Sequence, residues 1–388
     1  MTTAPGATNS RMYEPYVRAN WGLVNHWYPA LFSAELPEDS VKGITVSGIA
    51  ILLRRKNGKL YAIDDTCLHR GVKMSAKPTC LTADTISCWY HGFTYRLEDG
   101  VLHSIAAAPD DSLIGKVGLR TFPVEERNGI IFVFVYNQRP DVIPPLAADL
   151  PISTQGESEH PVAGVLDDDT VLLGLHRTVK ANWRLAAENG FDPGHVLIHR
   201  DATVVVVRDQ YVPLGYRPLS EKAVRTIDED PGPKGLMNMY GTEHYELVRE
   251  NPALNIKAVG NTRSPGLRTS IYLPGVLMVE NFPDYGTVQY EWYVPLDADH
   301  HEYWEVIGKK CSTEEERKEF EYRYARVYEP LAVLGFNDDD VFAREAMQPF
   351  YADGTGWAKE NMCSFDGIVV AWRKLVAQHA RGFQNKKP

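Results

Sequence analysis

The sequence predicts an α+β chain of two domains, and three observations predict it. Residues 22–136 carry short apolar, β-branched runs separated by turn dipeptides. The proline-dense stretch Arg139-Pro140-Asp141-Val142-Ile143-Pro144-Pro145 follows and reads as a linker. Beyond it, helical and strand-like segments mix. A chain of 388 residues holds two domains or a little more at about 150 residues each. The boundary is placed between residues 1–146 and 147–388.

The strands come first. Ile44-Thr45-Val46, Ile49-Ala50-Ile51-Leu52-Leu53, Leu60-Tyr61-Ala62-Ile63 and Ile130-Ile131-Phe132-Val133-Phe134-Val135 are the candidates. Asn57-Gly58 is a hairpin signal, because both residue types accept positive φ. Asp99-Gly100 and Asn128-Gly129 mark further turns. After the linker, 178–200 predicts helix, broken between Gly190 and Pro193. Strands are expected over 270–279 and 287–295. Thr313 is a candidate N-cap for a charged helix reaching about Arg326, with helical character continuing toward Glu345. A last helix is expected over 366–380.

Composition narrows the function. A hydrophobic content of 44% with 24% charged residues is ordinary for a soluble globular protein. No run of eighteen apolar residues argues for a membrane span, and Met1 to Asn20 carries no apolar core of a secretory signal. A net charge of −10 argues against general nucleic-acid binding. The five cysteines, Cys67, Cys80, Cys88, Cys311 and Cys363, form no disulfide framework, which suits a reducing cytoplasm. Cys80 is expected as a packed thiol.

Two cysteine–histidine pairs carry the strongest chemical signal. Cys67-Leu68-His69 runs on into Arg70-Gly71, and Cys88-Trp89-Tyr90-His91 into Gly92. Two thiolates for one iron and two imidazoles for the other are the ligands of a Rieske [2Fe–2S] cluster. A structural zinc site usually has Cys-x₂₋₄-Cys knuckles, whereas both knuckles here are mixed. A Cys67–Cys88 disulfide would leave both histidines unexplained. An electron carrier needs a donor, and an acidic donor needs a basic patch. Arg70, Lys73 and Lys77 flank the first loop, and Arg11, Arg18 and Lys116 are further candidates. An isolated Lys or Arg is otherwise an ordinary solvated residue.

A second constellation lies in Asn189-Gly190-Phe191-Asp192-Pro193-Gly194-His195-Val196-Leu197-Ile198-His199. His195 and His199 are four apart, so a helix would place them on one face and able to share a metal. A zinc protease would need Glu after the first histidine, and Val196 stands there. Beside an electron-carrying cluster, the pair fits a two-histidine-one-carboxylate iron site with positions open for O₂. The carboxylate is sought in Asp338-Asp339-Asp340, and the residue types alone do not choose among the three.

With these motifs the chain resembles the Rieske non-haem iron ring-hydroxylating oxygenases along nearly its whole length. More narrowly, it resembles the family's carbazole-oxidising terminal oxygenases. Asn25-His26-Trp27-Tyr28-Pro29, Leu273-Pro274-Gly275-Val276-Leu277, Glu291-Trp292-Tyr293-Val294-Pro295 and the run from Phe336 to Met347 support the narrower likeness. Two positions depart from the common second loop: Trp89 stands for a proline and Phe93 for a tryptophan. Neither is a ligand. The extra cysteines of respiratory-chain Rieske proteins are missing, so no disulfide staples the loops, and the resemblance implies a lower potential.

The resemblance implies an all-β Rieske domain followed by a catalytic domain whose antiparallel sheet is covered by helices. It implies one [2Fe–2S] cluster on Cys67, His69, Cys88 and His91, and one mononuclear Fe(II) on His195, His199 and Asp340. Asp192, with Asn189 nearby, would bridge His195 to His91 of a neighbouring subunit in a homotrimer. Electrons would come from NAD(P)H through a reductase and a ferredoxin, the latter docking near Arg11 and Lys116. The substrate would be carbazole or a similar polycyclic aromatic, dioxygenated at the angular carbon to 2′-aminobiphenyl-2,3-diol. Ala187, Thr269, Ile271, Phe282 and Phe336 are expected slot walls, with Gln289 deeper, and the Gly190 carbonyl is expected to accept the ring N–H. Two alternatives stand beside this reading. One is a monooxygenase or O-demethylase of the same superfamily, in which Arg184 or Arg268 would meet a substrate carboxylate. The other is a non-catalytic electron carrier.

Overall fold

The computed structural model describes residues 13–80, 82–153, 162–192, 194–204, 224–230, 232–238, 243–247, 256–260, 268–363 and 366–388, with backbone only at 238, 243–247 and 256–260. The candidate Arg11 lies outside them. The described residues form two compact units, one of Val24–Leu146 and one of Ala147–Lys386 joined by the chain up to Leu23. The expected split between 146 and 147 falls where these units divide, but the N-terminal segment up to Leu23, expected with the first domain, packs with the C-terminal unit. Its short helix α1 (Glu14–Arg18) buries Tyr16 completely, and Tyr16 Oη donates to Glu188 Oε1 at 2.7 Å.

The unit of 24–146 is all β. Its strands are β1 (His26–Phe32), β2 (Val41–Val46), β3 (Ile49–Lys56), β4 (Lys59–Asp64), β5 (Thr85–Ser87), β6 (Phe93–Arg96), β7 (Leu102–Ile105), β8 (Val124–Arg127) and β9 (Ile130–Val135). They pair antiparallel in three small sheets, β1-β9-β8, β2-β3-β4 and β5-β6-β7. The turn signals hold. Asn57 and Gly58 both take positive φ between β3 and β4, as do Asn128 and Gly129 between β8 and β9, the backbone that right-twisted hairpins need. β9 is buried at every residue because it lies between two neighbours.

The C-terminal unit is built on an antiparallel sheet. Its strands are β10 (Thr170–Val179), β11 (Val224–Asp228), β12 (Lys234–Asn238), β15 (Arg268–Tyr272), β16 (Val276–Glu280), β17 (Thr287–Pro295) and β18 (His301–Lys310). Among the described residues they run in the order β10-β18-β17-β16-β15-β12-β11, while β13 (Glu243–Leu247) and β14 (Ile256–Gly260) pair as a separate hairpin. Every residue of β17 is buried. The helices are α2 (Trp183–Phe191), α3 (Glu314–Arg323), α4 (Asn337–Tyr351), α5 (Gly356–Lys359) and α6 (Gly367–His379). α2 is buried on all sides, as a helix inside a core must be. Ala187 and Phe191 there join Ile271, Leu277 and Trp372 in one cluster.

Two secondary-structure expectations change. The helix expected from 178 starts only at Trp183, because 178–179 close the strand β10, and Asn182 Oδ1 caps the Arg184 N–H at 3.1 Å. The expected 270–279 strand is two, β15 and β16, turned by Pro274 and Gly275. Thr313 does cap α3, in a reciprocal arrangement with Glu316. A π-helix, Tyr324–Leu334, then leads toward α4.

Candidate metal centres and active site

The two loops of the β unit share one construction. Gly71 N–H closes on the Cys67 carbonyl at 2.9 Å, and Gly92 N–H on the Cys88 carbonyl at 2.9 Å. Both glycines take φ near +70°, where a side chain is strained. In each loop the glycine is the fourth residue after the cysteine, a spacing the sequence held. Cys67 and Cys88 are buried, while Leu68, Trp89 and Tyr90 face outward. His69 Nδ1 and His91 Nδ1 meet at 3.1 Å, and the His69 ring stacks on Phe93. Tyr95 Oη lies 3.4 Å from Cys67 Sγ and accepts the Leu68 N–H at 3.2 Å. Burial and the adjacent Cys67 hold its phenol well above the usual range. Trp89 Nε1 donates to the Lys73 carbonyl at 2.9 Å, so one of the two departing residues ties the loops where no disulfide can.

In the C-terminal unit, ligand atoms of His195, His199 and Asp340 all lie within 4.8 Å of one another. Asp340 Oδ1 is 3.6 Å from His195 Nε2 and 3.5 Å from His199 Nε2. The histidines sit on a 3₁₀ helix, His195–Asp201, not on the expected α-helix. At three residues per turn, positions four apart no longer share a face. The rings converge instead at 87° with centroids 5.4 Å apart. Burial pushes the Asp340 carboxyl up, but His199, Arg344 and His195 outweigh it and hold the carboxyl well below the ordinary range. Both nitrogens of His199 and Asp340 Oδ1 are buried without hydrogen-bond partners. Such orphaned atoms are rare in folded proteins and point to a missing ion or water.

Models of two families match the chain: a Rieske [2Fe–2S] domain over residues 26–123 and a homotrimeric ring hydroxylase over 136–384. The chain belongs to the Rieske ring-hydroxylating oxygenases. The terminal oxygenase component CarAa of carbazole 1,9a-dioxygenase from Metapseudomonas resinovorans is 43% identical, over 96% of this chain and 95% of its own. That from Sphingomonas sp is 42% identical over 97% of each. Among solved structures, a 2-oxoquinoline 8-monooxygenase component matches with a TM-score of 0.92 at 50% identity, over 99% of this chain and 92% of that one. The reduced oxygenase–ferredoxin complex of carbazole 1,9a-dioxygenase matches at 0.87 and 40%, over 99% and 97%.

A Rieske oxygenase carries a [2Fe–2S] cluster and a mononuclear iron, and both centres fit their groups. Paired buried thiols beside two converging imidazoles suit the cluster. Two imidazoles and one charged, buried carboxylate suit ferrous iron. His195 Nδ1 donates to the Asp192 carbonyl, which leaves Nε2 as the free acceptor a metal needs. The His195 end of the expected Asp192 bridge runs through the main chain: the Asp192 carbonyl orients His195, while Asp192 Oδ1 accepts the Gly194 N–H at 2.7 Å. Burial pushes the Asp192 carboxyl up, against the pull of His195.

The remaining candidates divide. Phe336 stacks on His199 at 3.6 Å and 12°, and Phe282 packs on Phe336 at 5.2 Å. Gln289 is buried and donates to Glu291 Oε1 at 2.5 Å. Ile271 and Ala187 belong to the core between α2 and the sheet, and Thr269 is buried on β15. Gly190 is the residue of α2 that faces the Tyr293 hydroxyl and Leu277, where a Cβ has no room. Asn189 Oδ1 accepts from Arg344 Nε at 2.6 Å. Lys116, Arg70, Lys73 and Lys77 are exposed on the β unit, whereas Arg18 belongs to the other unit. Cys80 is exposed rather than packed. Arg184 is bound to Asn182 Oδ1 and the Val17 carbonyl, and Arg268 is exposed. Neither is placed against the triad. Arg344, fully buried beside Asp340, is the neighbour of the triad that the sequence reading did not single out. Its signal was the four-residue step from Asp340, which neither Asp338 nor Asp339 shares with a cation.

Proposed function

We propose that this terminal oxygenase acts on a planar fused nitrogen heterocycle, and that carbazole is dioxygenated at its angular carbon and the neighbouring one. The aromatic floor at the triad carries the reading. Phe282 and Phe336 present flat apolar surface that continues onto the His199 imidazole, suited to a substrate with few polar groups. The carbazole enzymes named above, alike over nearly the full chain, supply the substrate.

In this reading Cys67, Cys88, His69 and His91 hold the cluster, and His195, His199 and Asp340 hold the iron. Bound there, the cluster supplies one-electron transfer and the iron supplies O₂ activation. Asp192 fixes the His195 tautomer through its carbonyl, and its carboxylate is available to the partner subunit's His91 in a homotrimer. The Gly190 carbonyl, in the last turn of α2 where carbonyls lack helical partners, accepts the ring N–H and orients the angular carbon. Phe336 and Phe282 exclude water from the ring face. A ferredoxin, reduced from NAD(P)H by a reductase, docks on the exposed edge around Lys116 and Arg70. Among the described residues no helix is long and apolar enough to cross a membrane, and we place the enzyme in the cytoplasm.

A second reading has its own support. The 2-oxoquinoline 8-monooxygenase component is 50% identical to this chain, and 2-oxoquinoline is also a fused ring with an N–H. One experiment separates the two. Chemically reduced protein is given each substrate with ¹⁸O₂ for a single turnover. Two labelled oxygens in 2′-aminobiphenyl-2,3-diol support the first reading. One labelled oxygen in 8-hydroxy-2-oxoquinoline, with carbazole untouched, replaces it with the second. Phe336→Ala sharpens the slot. Losing one stacked ring weakens carbazole binding by about 1–2 kcal/mol, roughly tenfold, and mixes the regiochemistry. Unchanged affinity and product remove Phe336 from the wall.

A further inference from the structure

Arg344 is fully buried, and a buried guanidinium needs partners. Its Nε donates to Asn189 Oδ1 on α2 at 2.6 Å. Its guanidinium lies over two neighbouring stacked rings, 4.3 Å from the Tyr303 centroid and 5.1 Å from that of Tyr293. Nη2 is 3.5 Å from Glu291 Oε2 and 4.0 Å from Asp340 Oδ2. Glu291 is already well supplied: its Oε2 accepts from Tyr293 Oη at 2.8 Å and Tyr303 Oη at 2.7 Å. Both Nη atoms therefore remain without a hydrogen-bond partner. The acceptor with capacity left is Asp340, whose Oδ1 faces the two imidazoles while Oδ2 faces the guanidinium. At 4.0 Å the guanidinium and that oxygen are within ion-pair reach.

We infer that Arg344 is a positioning residue that holds the outer oxygen of Asp340 and locks it to Asn189, so that α4 and α2 present the carboxylate and the histidine segment as one rigid frame. Arg suits the task because its planar fork serves two partners at once, which a Lys point charge does not. The Tyr293 and Tyr303 rings keep the fork from turning. Glu291 supplies the counter-charge that burial demands. The inference rests on Asp340 being a ligand of the mononuclear metal.

The test uses cluster-loaded protein whose mononuclear metal has been removed by chelation and which is titrated with Co(II), a probe whose visible absorption reports coordination geometry. Arg344→Lys is expected to weaken Co(II) binding by about tenfold or more and to shift its visible bands, with the cluster absorption unchanged. Asn189→Ala, which cuts the other arm, is expected to give the same band shift with a smaller loss of affinity. If Arg344→Lys binds within threefold of the parent with an unshifted spectrum, the inference is overturned, even if its melting temperature falls. If Arg344→Lys does not fold, an unshifted spectrum in Asn189→Ala overturns it. Asp340→Asn distinguishes the underlying reading: unaltered Co(II) binding there removes Asp340 as a ligand.

Discussion

The two metal centres are assembled in opposite ways. In the β unit each loop is a closed turn, with its own cysteine, histidine and glycine within five residues and its own hydrogen bond. In the C-terminal unit the ligand set joins a 3₁₀ helix to a distant α-helix, and only burial brings the three side chains together. A centre made of local turns is legible as a motif and depends on backbone conformation. A centre made across the fold depends on packing and on buried charge. Mutations should therefore fail differently in the two.

The largest expected effect lies at the scattered centre. Asp340→Ala should remove the mononuclear iron and abolish turnover, because two imidazoles alone do not make a carboxylate-containing iron site. The [2Fe–2S] absorption should persist, since the loops are closed locally. Iron analysis reads both at once, and loss of the cluster along with the iron would break the contrast.

Acid should undo the C-terminal unit through groups buried around the site. His301 Nδ1 donates to the Ala181 carbonyl at 2.7 Å. Burial, with Arg344 nearby, pushes its imidazole down to about 3. The unfolded chain takes up a proton at this residue near pH 6.5, whereas the folded chain does so only near 3. Stability is thus present above pH 6.5 and falls as pH drops, by about 1.4 kcal/mol per pH unit from this residue. Denaturant titrations from pH 7 to 4 should show that slope, and His301→Asn should flatten it. An unchanged slope in the variant would assign acid sensitivity elsewhere.

Within the β unit the two glycines test the local design. A Cβ on Gly92 meets Ala106 Cβ at 2.5 Å, whereas on Gly71 it has only Thr66 Cγ2 at 4.0 Å. Gly71→Ala should lose about 1–2 kcal/mol, the strain of a left-handed backbone. Gly92→Ala adds a clash and should lose about 3 kcal/mol or more. Cluster retention on heating ranks the two, and the reverse order would refute the geometry. The smallest effect is expected at Tyr95→Phe. Losing one hydrogen bond to a cluster sulfur is worth about 1 kcal/mol, on the order of 50 mV for a one-electron couple. The midpoint potential should fall, with turnover chemistry intact.

The same contrast explains what the sequence made legible. Cys67, His69, Cys88 and His91 were readable because their spacing is their geometry. Asn57-Gly58 and Thr313 were readable because turn and cap chemistry are local. The strand at 170–179 was not, since its apolar residues fit either period over so short a stretch. The use of the Asp192 carbonyl in place of its carboxylate was hidden because composition shows side chains only. Nor could local pattern show that Tyr16 would reach Glu188, a contact set by the fold alone.

The N-terminal segment also dictates an order of events. Gly22–Leu23 pairs with Phe383–Gln384, and Glu188, which Tyr16 meets, is held by Arg373 at 2.7 Å. The C-terminal unit therefore cannot close until residues 373–384 have left the ribosome. Residues 24–146 have every strand of their sheets in hand long before that. Domains generally fold as units during synthesis, the N-terminal one first. Cluster loading can thus precede completion of the iron site, while Gly22–Leu23 wait, unpaired, for Phe383–Gln384.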